Sequence, residues 1–307
     1  MLMYVVRRLA IMFITLYVII TATWFMSKML PGTPFADDKL TPEIREVLFA
    51  KYGLDQPWPV QYAKYMLNVF QGDLGNSFYF ESRPVLDIIL EQAPISGFIG
   101  TQAVIAGLLP GLILGVVAAL WHNSLLDYAA IVVAVLGISV PSFVLGPLMQ
   151  RWIGYKWGLL PIAWDPFNPS WAMSVMPSVA LAVFVVAIVA RYIRAEMLEV
   201  LGQDYVTLAK SKGLSRVAVV VRHVLRNSMI PLVTVLFPLI VGLVTGSIVI
   251  ETIFAVPGIG EQFVRSIQVN DYSMVLGTTI FFSVFFILAY LVQDILYALI
   301  DPRIRVG

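Results

Sequence analysis

Few residues here have the types and spacing that chemistry requires. The sequence holds two histidines, His122 and His223, and no cysteine. Disulfides, thiolate metal sites and thiol catalysis are therefore excluded together. No His-Glu-x2-His pair, Gly-x-Ser-x-Gly elbow or Gly-x4-Gly-Lys-Ser/Thr phosphate loop is present. The sequence assigns no catalytic residue, no metal ligand and no cofactor, and ATP hydrolysis is not expected of this chain alone. Carboxylates within apolar segments are functional candidates, yet Glu251 and Asp294 fall at the ends of such runs. That placement disfavours a proton relay at the middle of a membrane.

One charge-rich stretch stands out in the apolar second half, from Gly202 to Pro231. Gln203 to Lys212 reads as a short helix with Tyr205 and Ala209 one turn apart on one face. Gly213 sits where a left-handed residue would close that helix, and Leu214 is the hydrophobic residue expected after it. Ser215 is a suitable N-cap for a second short helix. Leu214, Val217, Ala218, Val221, Val224 and Leu225 recur at helical spacing there. Arg216, Arg222, His223 and Arg226 line its other face, as for a helix at a membrane surface. The residues alone fit an ordinary basic loop equally well.

The elements that position this stretch are apolar. Of 307 residues, 59% are hydrophobic and 13% charged, against about a quarter charged in soluble domains. A net charge of +1 gives no reason to expect a nucleic-acid partner. Uncharged runs occur at Leu9–Ser27, Gln92–Trp121, Tyr128–Gln150, Pro166–Ala190, Asn227–Ile250 and Tyr272–Gln293. Each is about long enough for a hydrocarbon core roughly 30 Å thick. The first follows Arg7-Arg8 like a signal peptide, but Lys28-Met29-Leu30-Pro31 offers no small-x-small cleavage site. An uncleaved first span is expected.

Orientation follows from arginine and lysine in the short connections. With the N-terminus inside, the inner side collects Arg7, Arg8, Arg191, Arg194, Lys210, Lys212, Arg216, Arg222, Arg226, Arg303 and Arg305. The short outer segments hold only Lys28, Arg151, Lys156 and Arg265. Residues 31–91 then form an extracytoplasmic segment. Pro42 to Gly53, Gln61 to Phe70 and Arg83 to Glu91 read as short helices within it, as a folded cap or a poorly ordered loop. Pro110, Gly137, Pro141, Gly146, Pro147 and Pro238 interrupt the spans, and Gly111, Gly115, Ala118 and Ala119 allow close helix contact. They serve either packing or a pathway lined by kinked helices. Pro257-Gly258 marks a turn, with a short helix from Glu261 to Ile267 after it.

Tyr205-x3-Ala209-x3-Gly213-Leu214-Ser215 follows Met197-Leu198-Glu199-Val200-Leu201 and precedes Arg222-His223. This pattern resembles the coupling loop of binding-protein-dependent ABC importer permeases. Glu251-Thr252-Ile253-Phe254 through Pro257-Gly258-Ile259-Gly260-Glu261 fits the same family. So do Asp294-x2-Tyr297-Ala298-Leu299-x-Asp301-Pro302-Arg303, Arg7-Arg8-Leu9 and Leu30-Pro31-Gly32. The resemblance spans nearly the whole chain and is closest to the oligopeptide/dipeptide/nickel branch, within it to the first peptide-permease subunit. The Glu-Ala-Ala triplet of the general motif falls on Thr207-Leu208-Ala209, which keeps only its last residue.

The resemblance implies an all-α polytopic membrane protein with six transmembrane helices. It implies an extracytoplasmic insertion after the first and a cytoplasmic coupling-helix loop between the fourth and fifth. The expected division is residues 1–30, then 31–91, then a five-helix permease core, 92–307, with its coupling loop at 191–227. The interface with an ATPase is implied at Asp204, Tyr205, Thr207, Leu208, Ala209, Lys210, Lys212, Gly213, Leu214 and Ser215. Implied partners are a homologous second permease, two ATP-binding subunits, an extracytoplasmic substrate-binding protein and membrane lipid. The implied activity is peptide uptake across a prokaryotic cell membrane by ATP-driven alternating access, with both termini cytoplasmic. Nickel or another small solute, or a stand-alone secondary transporter, are the alternatives. No substrate-binding residue is assigned.

Overall fold

The computed structural model describes residues 2–35, 41–80 and 83–300. Asp301, Pro302, Arg303 and Arg305 lie outside them. The helices, in chain order, are α1 (Leu2–Lys28), α2 (Pro42–Lys51), α3 (Trp58–Phe70), α4 (Val85–Leu120), α5 (Leu125–Ser139), α6 (Ser142–Met149) and α7 (Ala172–Leu201). There follow α8 (Asp204–Ser211), α9 (Arg216–Val219), α10 (Arg226–Val244), α11 (Ile248–Ile253), α12 (Ile259–Gln268) and α13 (Tyr272–Ile300). π-helical turns extend α6 through Gln150–Lys156 and join α9 to α10 through Val220–Leu225. Among the described residues no strand occurs; one isolated antiparallel bridge pairs Asn76 with Pro84.

Among the described residues, five helical segments are long and apolar enough to cross a membrane: Arg7–Lys28, Val85–Leu120, Ala172–Leu201, Pro231–Ile253 and Tyr272–Gln293. A sixth arises if Leu125–Ser139 and Ser142–Lys156 count as one span, although they meet at 95°. The chain is an all-α polytopic membrane protein.

The third span is bent at Pro141, one of the residues expected to interrupt it: Pro141 holds Val140 at φ −85°, ψ 110° and removes an N–H from the helical ladder. Three local expectations change. Arg83–Glu91 is no separate helix; its residues from Val85 on are the first part of α4, which continues past Pro94 and Pro110. Proline is tolerated in membrane helices where neighbours re-satisfy the freed carbonyls. The fourth span begins at Ala172, not Pro166, and carries Arg191 and Arg194 on its last turns. The second short helix of the basic stretch does not end, since α9 runs through its π-helical turn into α10.

The chain divides into two compact units, Met1–Pro94 with Ile259–Leu288, and Ile95–Gly258 with residues 289–300. In the first, Phe35, Phe49, Tyr52, Phe78 and Tyr272 form a ring cluster with centroids 4.8–6.2 Å apart. Ser77 Oγ donates to the buried Asp271 carboxylate, whose Oδ1 also accepts the Met274 N–H that begins α13. The segment after the first span is therefore folded. Val85, Ile88, Ile89, Ile259 and Met274 form a second apolar cluster.

The second unit is built around α7, whose Met176, Val185, Val189, Ile193 and Met197 are all buried. A stripe of glycines at four-residue spacing, Gly107, Gly111 and Gly115, lets α4 approach it. A Cβ at each would overlap Val185, Val189 and Ile193 in turn. This is the small-x3-small contact by which membrane helices pack without a hydrophobic driving force. Gly111→Val should therefore overpack the seam and cost about 1–3 kcal/mol. A lowered melting temperature in detergent checks it. Gly242→Ala, where a Cβ would meet nothing within 4 Å, should leave the melting temperature unchanged.

Candidate functional site

The basic stretch forms a tight helical corner at the end of α7. Gly202 ends α7, and Gln203 turns extended (φ −79°, ψ 147°) to start α8. At the other end Gly213 takes φ +77°, a conformation that costs other L-residues roughly 1–2 kcal/mol. The Gly213 N–H reaches Lys210 O at 3.0 Å and the Leu214 N–H reaches Ala209 O at 3.4 Å. These two bonds are a Schellman closure. Ser215 then caps α9, its Oγ accepting the Ala218 N–H at 3.3 Å.

This closure gives α8 two unlike faces. Val206 and Ala209 are buried, in the same apolar cluster as Ile193 and Met197 of α7, Val219 of α9 and Val224. Asp204, Tyr205, Thr207, Leu208, Lys210, Lys212, Gly213, Leu214 and Ser215 are exposed. Ala209 stays one turn from Tyr205 in α8, but it lies at the edge of that side which the apolar cluster covers, so Tyr205 is exposed and Ala209 is buried. The Tyr205 hydroxyl accepts from Asn227 Nδ2 at 3.3 Å, while the same amide donates to His223 O at 2.7 Å. Beside α8, Leu208, Leu214, Val217 and Val221 leave an apolar surface open among the lysines.

A second feature fixes α7 from its flank. Asp127, 1% exposed, receives Arg194 Nε at 2.6 Å on Oδ1 and Nη2 at 2.9 Å on Oδ2. His122 Nδ1 lies 3.1 Å from the same Oδ2, and the Asn123 N–H donates to it at 2.9 Å. Asn123 is left-handed (φ 62°), so the α4–α5 corner wraps its backbone around the carboxylate. From sequence, Arg194 counts only as a topological charge and His122 is assigned to no metal. A carboxylate three residues after Ser124 at a helix start was the available signal. The pair is bidentate and its acid is dry, a geometry in which losing one partner is expensive. In a double-mutant cycle of Asp127→Ala and Arg194→Ala, thermal unfolding should show a coupling of about 1–3 kcal/mol. Additive losses would mean the pair contributes nothing.

Residues 111–306 match the family described as binding-protein-dependent transport system inner membrane component. Residues 1–97 match the N-terminal family of the same systems. The chain belongs to this permease family. The dipeptide transport system permease protein DppB of Lactococcus lactis subsp. cremoris (strain MG1363) is 44% identical over 306 residues, covering 99% of this chain and 100% of that one. DppB of Bacillus subtilis (strain 168) is 42% identical over 98% of this chain and 97% of its own. The oligopeptide transport system permease protein OppB of Escherichia coli (strain K12) is 36% identical over 99% and 100%. In fold, a chain of the inward-facing MetNI methionine ABC transporter aligns with a TM-score of 0.58 at 17% identity, over 72% of this chain and 99% of that one.

Proposed function

We propose that this chain is the peptide-conducting permease subunit of an ATP-driven importer, and that α8 receives the motion of a separate ATPase. The observation that carries the substrate class is whole-length similarity, at 36–44% identity, to dipeptide and oligopeptide permeases. No phosphate-binding loop occurs in the sequence, so hydrolysis belongs to partner subunits. The partners are a second, homologous permease, two ATP-binding subunits and an extracytoplasmic binding protein. Two features support α8 as the docking element. Its exposed face carries Tyr205 and Leu208 beside Lys210 and Lys212, and its buried Val206 and Ala209 share one apolar cluster with Ile193 and Met197 of α7 while α8 packs on α9 and the π-helical turn. A push on the first is transmitted to a membrane helix through the second.

In this reading the termini and the 191–227 loop are cytoplasmic, and residues 31–91 face outward. Closure of the ATPases tilts α7 and α10 and exposes the pathway alternately to each side. The bias of arginine and lysine supports the orientation. In intact cells, an impermeant thiol reagent should label Asp55→Cys and spare Lys212→Cys; native cysteines do not interfere, since there are none. Labelling of position 212 alone inverts the topology.

Docking makes a sharper demand. Leu208→Asp should assemble yet weaken the ATPase contact about tenfold or more, because it puts a charge into an apolar interface. Gly213→Val should uncouple hydrolysis from uptake by straining the corner, with nothing near its Cβ to clash. Ala209→Asp should instead lower complex yield, since it buries a carboxylate beneath α8. Reconstitution with the partner subunits, measuring assembly and peptide-stimulated ATP hydrolysis, separates these outcomes. Full coupling in Leu208→Asp and Gly213→Val rules out α8 as the contact.

A further inference from the structure

In the first compact unit, a polar cavity of about 480 Å³ opens between the end of α1, the α2–α3 segment and the start of α13. At its wall the Lys28 ammonium lies 5.3 Å from the Trp24 ring centre and 5.1 Å from that of Tyr272. Its hydrogen-bond acceptor is Gln61 Oε1, at 2.6 Å. Gln61 is itself held by its amide nitrogen, which donates to Gln56 O at 2.6 Å and Leu54 O at 3.1 Å. Among the described residues no carboxylate pairs with Lys28. Among the described residues Asp73 is the only acid in the cavity wall, and its Oδ1 already accepts the Gly75 N–H. A half-buried cation held by rings and one amide oxygen keeps donors to spare.

Two more groups in the same wall lack partners. The Tyr65 hydroxyl and Gln56 Oε1 are buried and make no hydrogen bond, and burial pushes the Tyr65 phenol up. Orphaned buried polar atoms of this kind call for an explanation. Together the wall offers a cation, a phenol O–H and a lone amide acceptor. That set complements a carboxylate with an adjacent N–H, as at the C-terminal end of a peptide main chain.

We infer that this cavity is a binding subsite for the C-terminal carboxylate of the transported peptide, with Lys28 as its counter-ion. The inference rests on the peptide-importer reading and adds to it a place and a recognised group. Lys28 and Tyr65 receive the carboxylate oxygens, and Gln56 Oε1 accepts the last peptide N–H. The apolar faces of Trp24 and Tyr272 shield the ion pair from water, which strengthens it.

The test measures binding of trialanine and of trialanine amide to the permease–ATPase complex in nanodiscs, with the binding protein left out. Trialanine should bind about tenfold or more tightly than its amide. Lys28→Gln should abolish that difference and Lys28→Arg should keep it. Should Lys28→Gln fail to assemble, the wild-type comparison of acid with amide decides alone. Equal binding of both peptides overturns the inference, as does acetate displacing trialanine at equal concentration, which marks a general anion site. Uptake of trialanine by the complete importer is measured alongside. If uptake persists while discrimination is absent, only the subsite falls; if no peptide is taken up, the peptide reading itself falls.

Discussion

The contact on which the second unit depends is the seam between α4 and α7. In lipid, helices gain little by hiding apolar surface from a solvent that is itself apolar, so close packing must supply the attraction. Gly107, Gly111 and Gly115 remove the side chains that would hold α4 away, and Val185, Val189 and Ile193 occupy the space. The same face of α7 continues past Ile193 to Met197, and both belong to the apolar cluster that holds Val206 and Ala209 of α8. One apolar surface therefore runs from the membrane-spanning part of α7 to the helical corner. The Arg194–Asp127 pair pins α7 to the α4–α5 corner near where this surface passes toward α8.

This continuity explains why a helix of eight residues can matter. An isolated helix of that length is marginal in water. Here α8 is closed by the Gly213 turn, tethered through Asn227 to the π-helical segment, and based on buried Val206 and Ala209. Its shape is set by the chain around it rather than by its own propensity. That arrangement suits the force-passing role proposed for it. The break at Thr245–Ser247, with Gly246 at φ 106°, places a discontinuity at the far end of α10. The bend at Pro141 does the same between α5 and α6.

Much of this was legible from residue patterns, for physical reasons that also mark where legibility stops. Long uncharged runs report spans because a charge at a helix centre costs about 2.5–3.5 kcal/mol. Gly213-Leu214-Ser215 gave the corner because a left-handed closure and a hydroxyl cap are local devices. The burial of Ala209 was hidden, since spacing groups residues on a face without saying which part of it is covered. Gly107 completes the stripe begun by Gly111 and Gly115, yet the period alone does not name the opposing helix. Asp127 and Arg194 are 67 residues apart, and only the fold brings them together. Pro94 and Pro141 have the same backbone chemistry, but one is absorbed in α4 and the other breaks a helix; the outcome lies with their neighbours.

The central claim is that α7 and α8 move as one body when the ATPases close. The absence of native cysteines allows spin labels at Ala195→Cys on α7 and Lys212→Cys after α8, both exposed positions. Their separation is measured by pulsed electron paramagnetic resonance in the full complex, without nucleotide and with ATP trapped. The account predicts one narrow distance that is the same in both states. A shifted or broadened distance on ATP trapping would show α8 yielding at the corner, and would contradict rigid transmission into α7.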